Sequence, residues 1–272
     1  MKELISIIMP AYNAEQFVEA AIQSVLEQSY SQWELIIIND GSSDATELKV
    51  LSFKEERIRY FSQKNKGVGA ARNLGLKKMK GAYFCFLDAD DILPPNSIKA
   101  RLDVFKNDSN IGFVSGKVIQ MDSKLDTVLS TQTPSFRGQP KKEIVRLSSA
   151  VLVAITWLIK RVEGIEYSFQ EGWTHSEDVA FFLSISDHGL YDYTPEEVLI
   201  YRRNDGSAMS DLSGLEKSYV NYYNYVLQQV TDLEKEDRIY LKKRIRRIMF
   251  LSYLQNKQIY KAIRSFFKLS QL

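Results

Sequence analysis

Short apolar runs alternate with amphipathic stretches over the first third of the chain. Residues 4–9 (Leu-Ile-Ser-Ile-Ile-Met), 35–38 (Leu-Ile-Ile-Ile) and 84–87 (Phe-Cys-Phe-Leu) show no polar alternation. That predicts strands buried on both faces, as in a parallel sheet. Residues 58–61 predict a shorter strand. After the first strand, Phe17, Ala21 and Val25, with Ile22 and Leu26, repeat at four-residue spacing, which predicts a helix with one apolar face. A second helix is predicted after a cap at Ser43 or Asp44. A third follows Gly67-Val68-Gly69 and runs to about Lys80, with Gly81 closing it. Four strands linked by helices through short loops predict right-handed crossovers and a mostly parallel sheet flanked by helices on both faces.

The pattern changes after Asp91. Residues 95–106 read as a helix. Residues 111–115 and 117–121 read as two strands with no helix between them. Residues 122–142, polar and carrying Pro134, Gly138 and Pro140, read as a mobile loop. For 144–160 the pattern leaves helix and strand both open. A helix opens at Ser176-Glu177-Asp178, a late strand covers 198–201, and from Gly214 onward the pattern is helical. The expected division is an α/β unit over 1–213, with a first half over 1–95 and a second over 96–213. A helical extension covers 214–272.

The strand ending near Leu87 is followed by Asp88-Ala89-Asp90-Asp91. A strand core cannot hold three carboxylates, so they are expected at its carboxyl edge, where open α/β sheets bind ligands. Clustered acids repel unless a cation joins them, and Mg²⁺ uses one or two carboxylates together with substrate phosphates. Read alone, the octapeptide is equally a solvated turn. Gly67-x-Gly69 before a helix suits a backbone that approaches a phosphate, but it lacks the third glycine of a dinucleotide fingerprint.

Composition narrows the classes. The single Cys85 excludes an internal disulfide and, set in an apolar run, reads as a buried inert thiol. Two histidines, His175 and His188, argue against a multi-histidine zinc site. There is no run of about 18 apolar residues and no signal-peptide pattern, so a cytoplasmic protein is expected. Nucleic acid is not an expected partner. Net charge is +2, but residues 238–272 hold ten Lys and Arg and no acid, leaving −8 on the rest. An acidic body with a basic tail points to an anionic surface as the tail's partner.

Five motifs stand in a telling order: Pro10-x-Tyr12-Asn13, Asn39-Asp40-Gly41-Ser42-x-Asp44, Asn65-x-Gly67 with Ala71-Arg72-Asn73-x-Gly75, Asp88-Ala89-Asp90-Asp91, and Glu177-Asp178. The chain resembles family 2 glycosyltransferases of the GT-A fold, closely over 4–95, more loosely to about 210, and not beyond. The resemblance implies a Rossmann-like α/β fold and an inverting transfer of a sugar from a UDP-sugar to a glycan or lipid-linked glycan. The family context is bacterial surface-polysaccharide biosynthesis. It implies that Pro10, Tyr12 and Asn13 shape the base pocket and that Asp40 accepts the uracil imide. Gly67 and Arg72 would lie near the diphosphate. Asp88 would bind ribose or metal, and Asp90 would ligate Mg²⁺ or Mn²⁺. Asp91 would either orient the donor sugar or brace its loop. Of the pair Glu177-Asp178, the second would be the general base. Residues 201–210 resemble a late loop closing over the diphosphate, with Asn204-Asp205 where many relatives carry histidine.

Two other readings stay open: a nucleotidyltransferase and a non-catalytic sugar-nucleotide or carbohydrate-binding protein. The first would need a glycine-rich basic loop after the first strand, which Pro10-Ala11-Tyr12-Asn13 is not. Trp157 and Trp173 either line the acceptor site or belong to the core. His175 either reaches acceptor or metal or sits on the surface. The tail over 238–272 either packs on the body or docks on anionic membrane at the inner face.

Overall fold

The computed structural model describes residues 3–151, 155–204 and 211–271. The first four strands are β1 (Ile5–Ala11), β2 (Trp33–Asn39), β3 (Ile58–Ser62) and β4 (Tyr83–Phe86). They lie in the spatial order β3-β2-β1-β4, all parallel. Every residue of β1 and β2 is buried, as uninterrupted apolar runs require of strands covered on both faces. The covering helices are α1 (Val18–Leu26), α2 (Thr46–Ser52) and α3 (Val68–Lys78). A β-carbon at Gly75 of α3 would clash with Ile8, so glycine is what lets α3 sit against β1. Gly81 does not cap α3, which ends at Lys78; its missing side chain lets the chain pass Leu4 and Ser6 at the start of β1.

The second half extends the sheet as β7-β5-β6, with β8 also on β5. These strands are β5 (Ile111–Met121), β6 (Val128–Gln132), β7 (Leu158–Lys160) and β8 (Leu190–Arg202). β5 runs parallel to β8 and antiparallel to β6 and β7, and β7 is antiparallel to β4. The helices here are α4 (Ser97–Val104), α5 (Lys141–Val145) and α6 (Glu177–Ile185).

Two sequence expectations for the second half need correction, and a stretch left open is resolved. The two strands at 111–115 and 117–121 are one: Gly116 does not interrupt β5 but lets β8 approach, since a β-carbon there would collide with Val198. The supposed loop at 122–142 contains β6, a largely exposed edge strand. Among the described residues of the open stretch 144–160 are the end of α5, a 3₁₀ turn at Ser149–Val151 and β7.

Past the sheet come α7 (Leu212–Gln229), α8 (Lys235–Gln255) and α9 (Ile259–Lys268). Leu215, Tyr222 and Val226 of α7 and Leu241, Ile245 and Met249 of α8 share one buried apolar cluster with Phe86, Trp157 and Phe181 of the body. The first of the tail's two helical segments therefore packs inward along one stripe.

Candidate active site

Strands β1 to β4 are parallel, so their carboxyl ends open on one edge. The chain steps from β1 outward to β2 and β3, then returns to β4 on the other side of β1, which creates the crevice where such sheets bind ligands. Pro10 is buried within β1, while Tyr12 stands 54% exposed just beyond it. Asn13 holds a left-handed φ of 48°, which its short amide tolerates. Its N–H donates to Ser42 Oγ (3.0 Å) and its Oδ1 accepts from Ser43 N (2.9 Å). The loops after β1 and β2 are thereby tied together.

Asp40 is buried and accepts from Gln63 Nε2 (2.7 Å), Lys66 N (3.0 Å) and Gly67 N (2.8 Å). A carboxylate offers about four acceptor positions, so one is left for a ligand N–H. The Gly67 N–H, expected to face a phosphate, is committed to Asp40 instead. Gly69 is required by a close approach as well, because a β-carbon there would lie 3.0 Å from the Gln170 carbonyl.

Arg72, on α3, is buried and bridges two acids from distant parts of the chain. Its Nη2 donates to Asp88 Oδ1 (2.9 Å) and its Nη1 to Glu177 Oε1 (2.8 Å). Its guanidinium lies 5.3 Å from the Phe169 ring centre, and its Nε is buried without a hydrogen-bond partner. Beside it Asn73 clamps the loop leading to α6: its Nδ2 donates to the Phe169 carbonyl and its Oδ1 accepts from Phe169 N (2.7 Å). Ser176, with φ 61°, then turns the chain so that Glu177 and Asp178 open α6 beside Arg72. Glu177, not Asp178, takes the arginine. Burial, then the Glu177 carboxylate, push the Asp178 carboxyl up to about 7 against the pull of Arg72.

The other acids face the same crowding. Asp90 is raised by burial and by the charge of Asp88, and Asp91 is raised well above the usual range by burial and both neighbours. Asp91 is buried and accepts from Arg202 N (2.9 Å). Arg202 also donates to the Asp90 and Ser123 carbonyls, so it points into the loop it braces and not over the crevice. Asn204 donates to Asp90 Oδ2 (2.9 Å), and its own Oδ1 is buried with no hydrogen-bond partner. Asp205 and 206–210 of the expected late loop lie outside the described residues.

The donors offered at this edge are all oxygen: the Asp88 and Asp90 carboxylates and the orphaned Asn204 Oδ1. Hard divalent cations such as Mg²⁺ and Mn²⁺ suit that set. Among the described residues no group of three or more His, Cys, Asp or Glu could hold a metal ion. A cation here would therefore complete its shell with water or phosphate oxygens, as Mg²⁺ does.

Trp157 does not reach an acceptor. It is fully buried, its ring centre 4.4 Å from that of Phe182 and 5.0 Å from that of Tyr191, and its Nε1 donates to the Val151 carbonyl. Trp173 is half-buried with its edge on Tyr225 of α7 (5.9 Å between centres). His175 is buried, not on the surface, with Nδ1 3.0 Å from Thr174 Oγ1. The role of Asn73 as a clamp was legible in sequence only as part of a motif, and Tyr219 of α7, raised to about 12 by burial and by the charge of Asp178, carried no sequence signal.

The family description "Glycosyl transferase family 2" matches residues 6–161. The chain belongs to this family. It is 35% identical over 185 residues to the Escherichia coli UDP-Glc:alpha-D-GlcNAc-diphosphoundecaprenol beta-1,3-glucosyltransferase WfgD, covering 67% of this chain and 69% of that protein. An uncharacterized glycosyltransferase of Rickettsia bellii is 31% identical over 225 residues, 82% of this chain and 32% of its relative. Another, of Rickettsia felis, is matched over 43% of its length, so the chain spans less than half of each of these two relatives. Among solved structures, S. aureus TarS 1-349 in complex with UDP-GlcNAc superposes with a TM-score of 0.67 at 16% identity, over 99% of this chain and 81% of that one. A Pyrobaculum calidifontis mannosyltransferase in complex with GDP-Man and Mn²⁺ gives 0.64 at 14%, over 97% and 74%. These two likenesses establish the GT-A fold of this family 2 chain.

Proposed function

We propose that this family 2 chain is an inverting glycosyltransferase that moves a sugar from UDP to a hydroxyl of a glycan or lipid-linked glycan, with Asp178 as general base. The observation that carries the reading is the arrangement around Arg72. It draws Asp88, just past the end of β4, and Glu177, at the start of α6, onto one guanidinium, which supports a reading in which donor-edge acids and the base Asp178 belong to one site. Family membership and the WfgD likeness support the donor and acceptor classes.

Tyr12 would stack on the base and the free acceptor position of Asp40 would take the imide N–H. In the transfer, the acceptor oxygen attacks the anomeric carbon from the face opposite UDP. The bond from that carbon to the diphosphate oxygen breaks, and the hydroxyl proton passes to Asp178. The raised affinity of Asp178 for a proton matches this task near neutral pH. Asp90 and Asp88, with Asn204, would hold Mg²⁺ or Mn²⁺, whose charge offsets that of the departing diphosphate. The acids around Arg72 then have a reason to exceed their cations. The catalytic unit in this reading is 1–213, with the helical segment from 214 closing the acceptor side through Tyr219. A membrane position through 238–272 belongs to the same reading and is argued from α9 below.

Asp178→Asn tests the assignment, because it keeps the shape and removes the base. UDP affinity measured by calorimetry with Mn²⁺ should stay within about twofold, while transfer falls by at least about 100-fold. Wild-type turnover should rise with pH through about 7, since only the deprotonated carboxylate accepts the proton. Near-normal transfer by the variant would move the base elsewhere.

A further inference from the structure

Helix α9 carries three stripes. With about 100° between successive residues, Ala262, Ser265 and the adjoining Leu269 share one arc, and all three are buried in the packing with α8. Ile259, Tyr260, Ile263, Phe266 and Phe267 share a second arc and are between 37% and 77% exposed. Lys261, Arg264 and Lys268 occupy the arc beside it, with Lys257 just ahead of the helix, all of them exposed. This separates the two halves of the basic tail. α8 buries its apolar stripe against the body, whereas Ile259, Tyr260, Ile263 and Phe267 of α9 face outward and Phe266, at the rim of the stripe, rests on Phe250 of α8 (5.6 Å between ring centres).

Exposed large aromatic and aliphatic side chains in a contiguous stripe are costly unless something covers them. We propose that the covering partner is the surface of an anionic lipid bilayer, with α9 lying in the plane of the interface. Charge complementarity selects this occupant. The stripe is bordered by lysine and arginine, and residues 238–272 contain no acid, so a second copy seated on the same stripe would bring like charges together. An apolar face of Phe and Ile beside a Lys/Arg face is the composition of an interfacial helix. α9 is also anchored to the body: Lys268 pairs with Glu216 of α7 (2.8 Å), and α7 shares its buried apolar cluster with Phe86 and Phe181. Docking would hold the proposed acceptor side near lipid, where lipid-linked glycans reside. The inference rests on that reading only for its purpose; the binding itself is measured without donor or acceptor.

The test is flotation of the full chain with vesicles of phosphatidylcholine alone or with added phosphatidylglycerol, at low and high salt. The wild type should float with the anionic vesicles and be released by salt. Lys261→Gln and Arg264→Gln should each lower partitioning about fivefold. Ile263→Asp with Phe267→Asp, both exposed positions, should abolish it while leaving the melting temperature unchanged. Phe267→Trp should show a blue-shifted emission with anionic vesicles only. Absence of binding to anionic vesicles at low salt overturns the proposal, as does binding that survives the double aspartate variant. A concentration-dependent dimer in sedimentation velocity that the same variant dissolves would also overturn it, by assigning the stripe to a second copy.

Discussion

Two groups of acids share the carboxyl edge of the sheet and are treated in opposite ways. Asp40 receives one side-chain and two backbone N–H groups, and Asp44 receives the Glu15 and Thr46 N–H groups. Their charge is met by fixed dipoles, so the loops after β1, β2 and β3 are held before any ligand arrives. Around Arg72 the balance is reversed. Asp88, Asp90, Asp91, Glu177 and Asp178 gather near Arg72 and Arg202, and three of the five carboxyls are raised. One region is completed by the protein; the other is left in electrostatic deficit. On the proposed reading the site receives a diphosphate and its cation, and such a site needs both: a rigid frame for the nucleotide and an unbalanced cluster that a ligand brings back to balance.

Removing the one shared cation should strain the second region most. Arg72→Met leaves Glu177 buried without its partner, and breaking a buried pair from one side costs about 3–5 kcal/mol. Urea unfolding should report a loss of that size, and adding Glu177→Gln should recover most of it. A loss below about 1 kcal/mol would mean that the cluster relaxes into water and is not in deficit.

The saturated region should answer more mildly. Asp40→Ala strands the Lys66 and Gly67 N–H groups, at a cost of about 1–3 kcal/mol. Hydrogen exchange should quicken at 65–67 while the amides of β1 stay protected. Loss of protection throughout β1 would show that the loops are part of the core and not a frame resting on it.

This contrast explains what the sequence could and could not convey. The frame is local: apolar runs end in Asn39-Asp40-Gly41 or Asp88-Ala89-Asp90, and each short segment carries both its strand and its edge residues. The deficit cluster is not local. Arg72 and Glu177 are 105 positions apart, and nothing in either segment encodes their meeting beyond a motif order. The same limit hid Trp157, since an aromatic that stacks on a sugar and one that packs on Phe182 have the same neighbours in sequence. β6 was missed for the opposite reason: as an exposed edge strand it has no buried face to impose alternation. The single strand β5 reads as two in sequence because a glycine that admits a neighbouring strand, as Gly116 does, looks like one that ends its own.

The effect most specific to the cluster is read along the pH axis. The Asp178 carboxyl rises from an ordinary 3.8 to about 7 in the folded chain. A group that binds its proton more tightly when folded lends stability that is fully present below its unfolded value and is lost as pH rises through the folded one. The wild type should therefore lose stability between about pH 4 and 8 relative to Asp178→Asn, which has no charge to bury. Asp90 and Asp91 titrate in both proteins, so the difference between the two melting curves isolates Asp178 to first order. The two should melt together at pH 4. At pH 8 the asparagine variant should melt higher, by about 2–4 °C for each kcal/mol regained, by differential scanning calorimetry at fixed ionic strength. A gap that does not change with pH would place Asp178 in water with an ordinary carboxyl. A gap that opens along the same pH axis on which wild-type turnover rises would tie the two together: the ionisation that readies Asp178 to take the acceptor's proton is the one the fold resists.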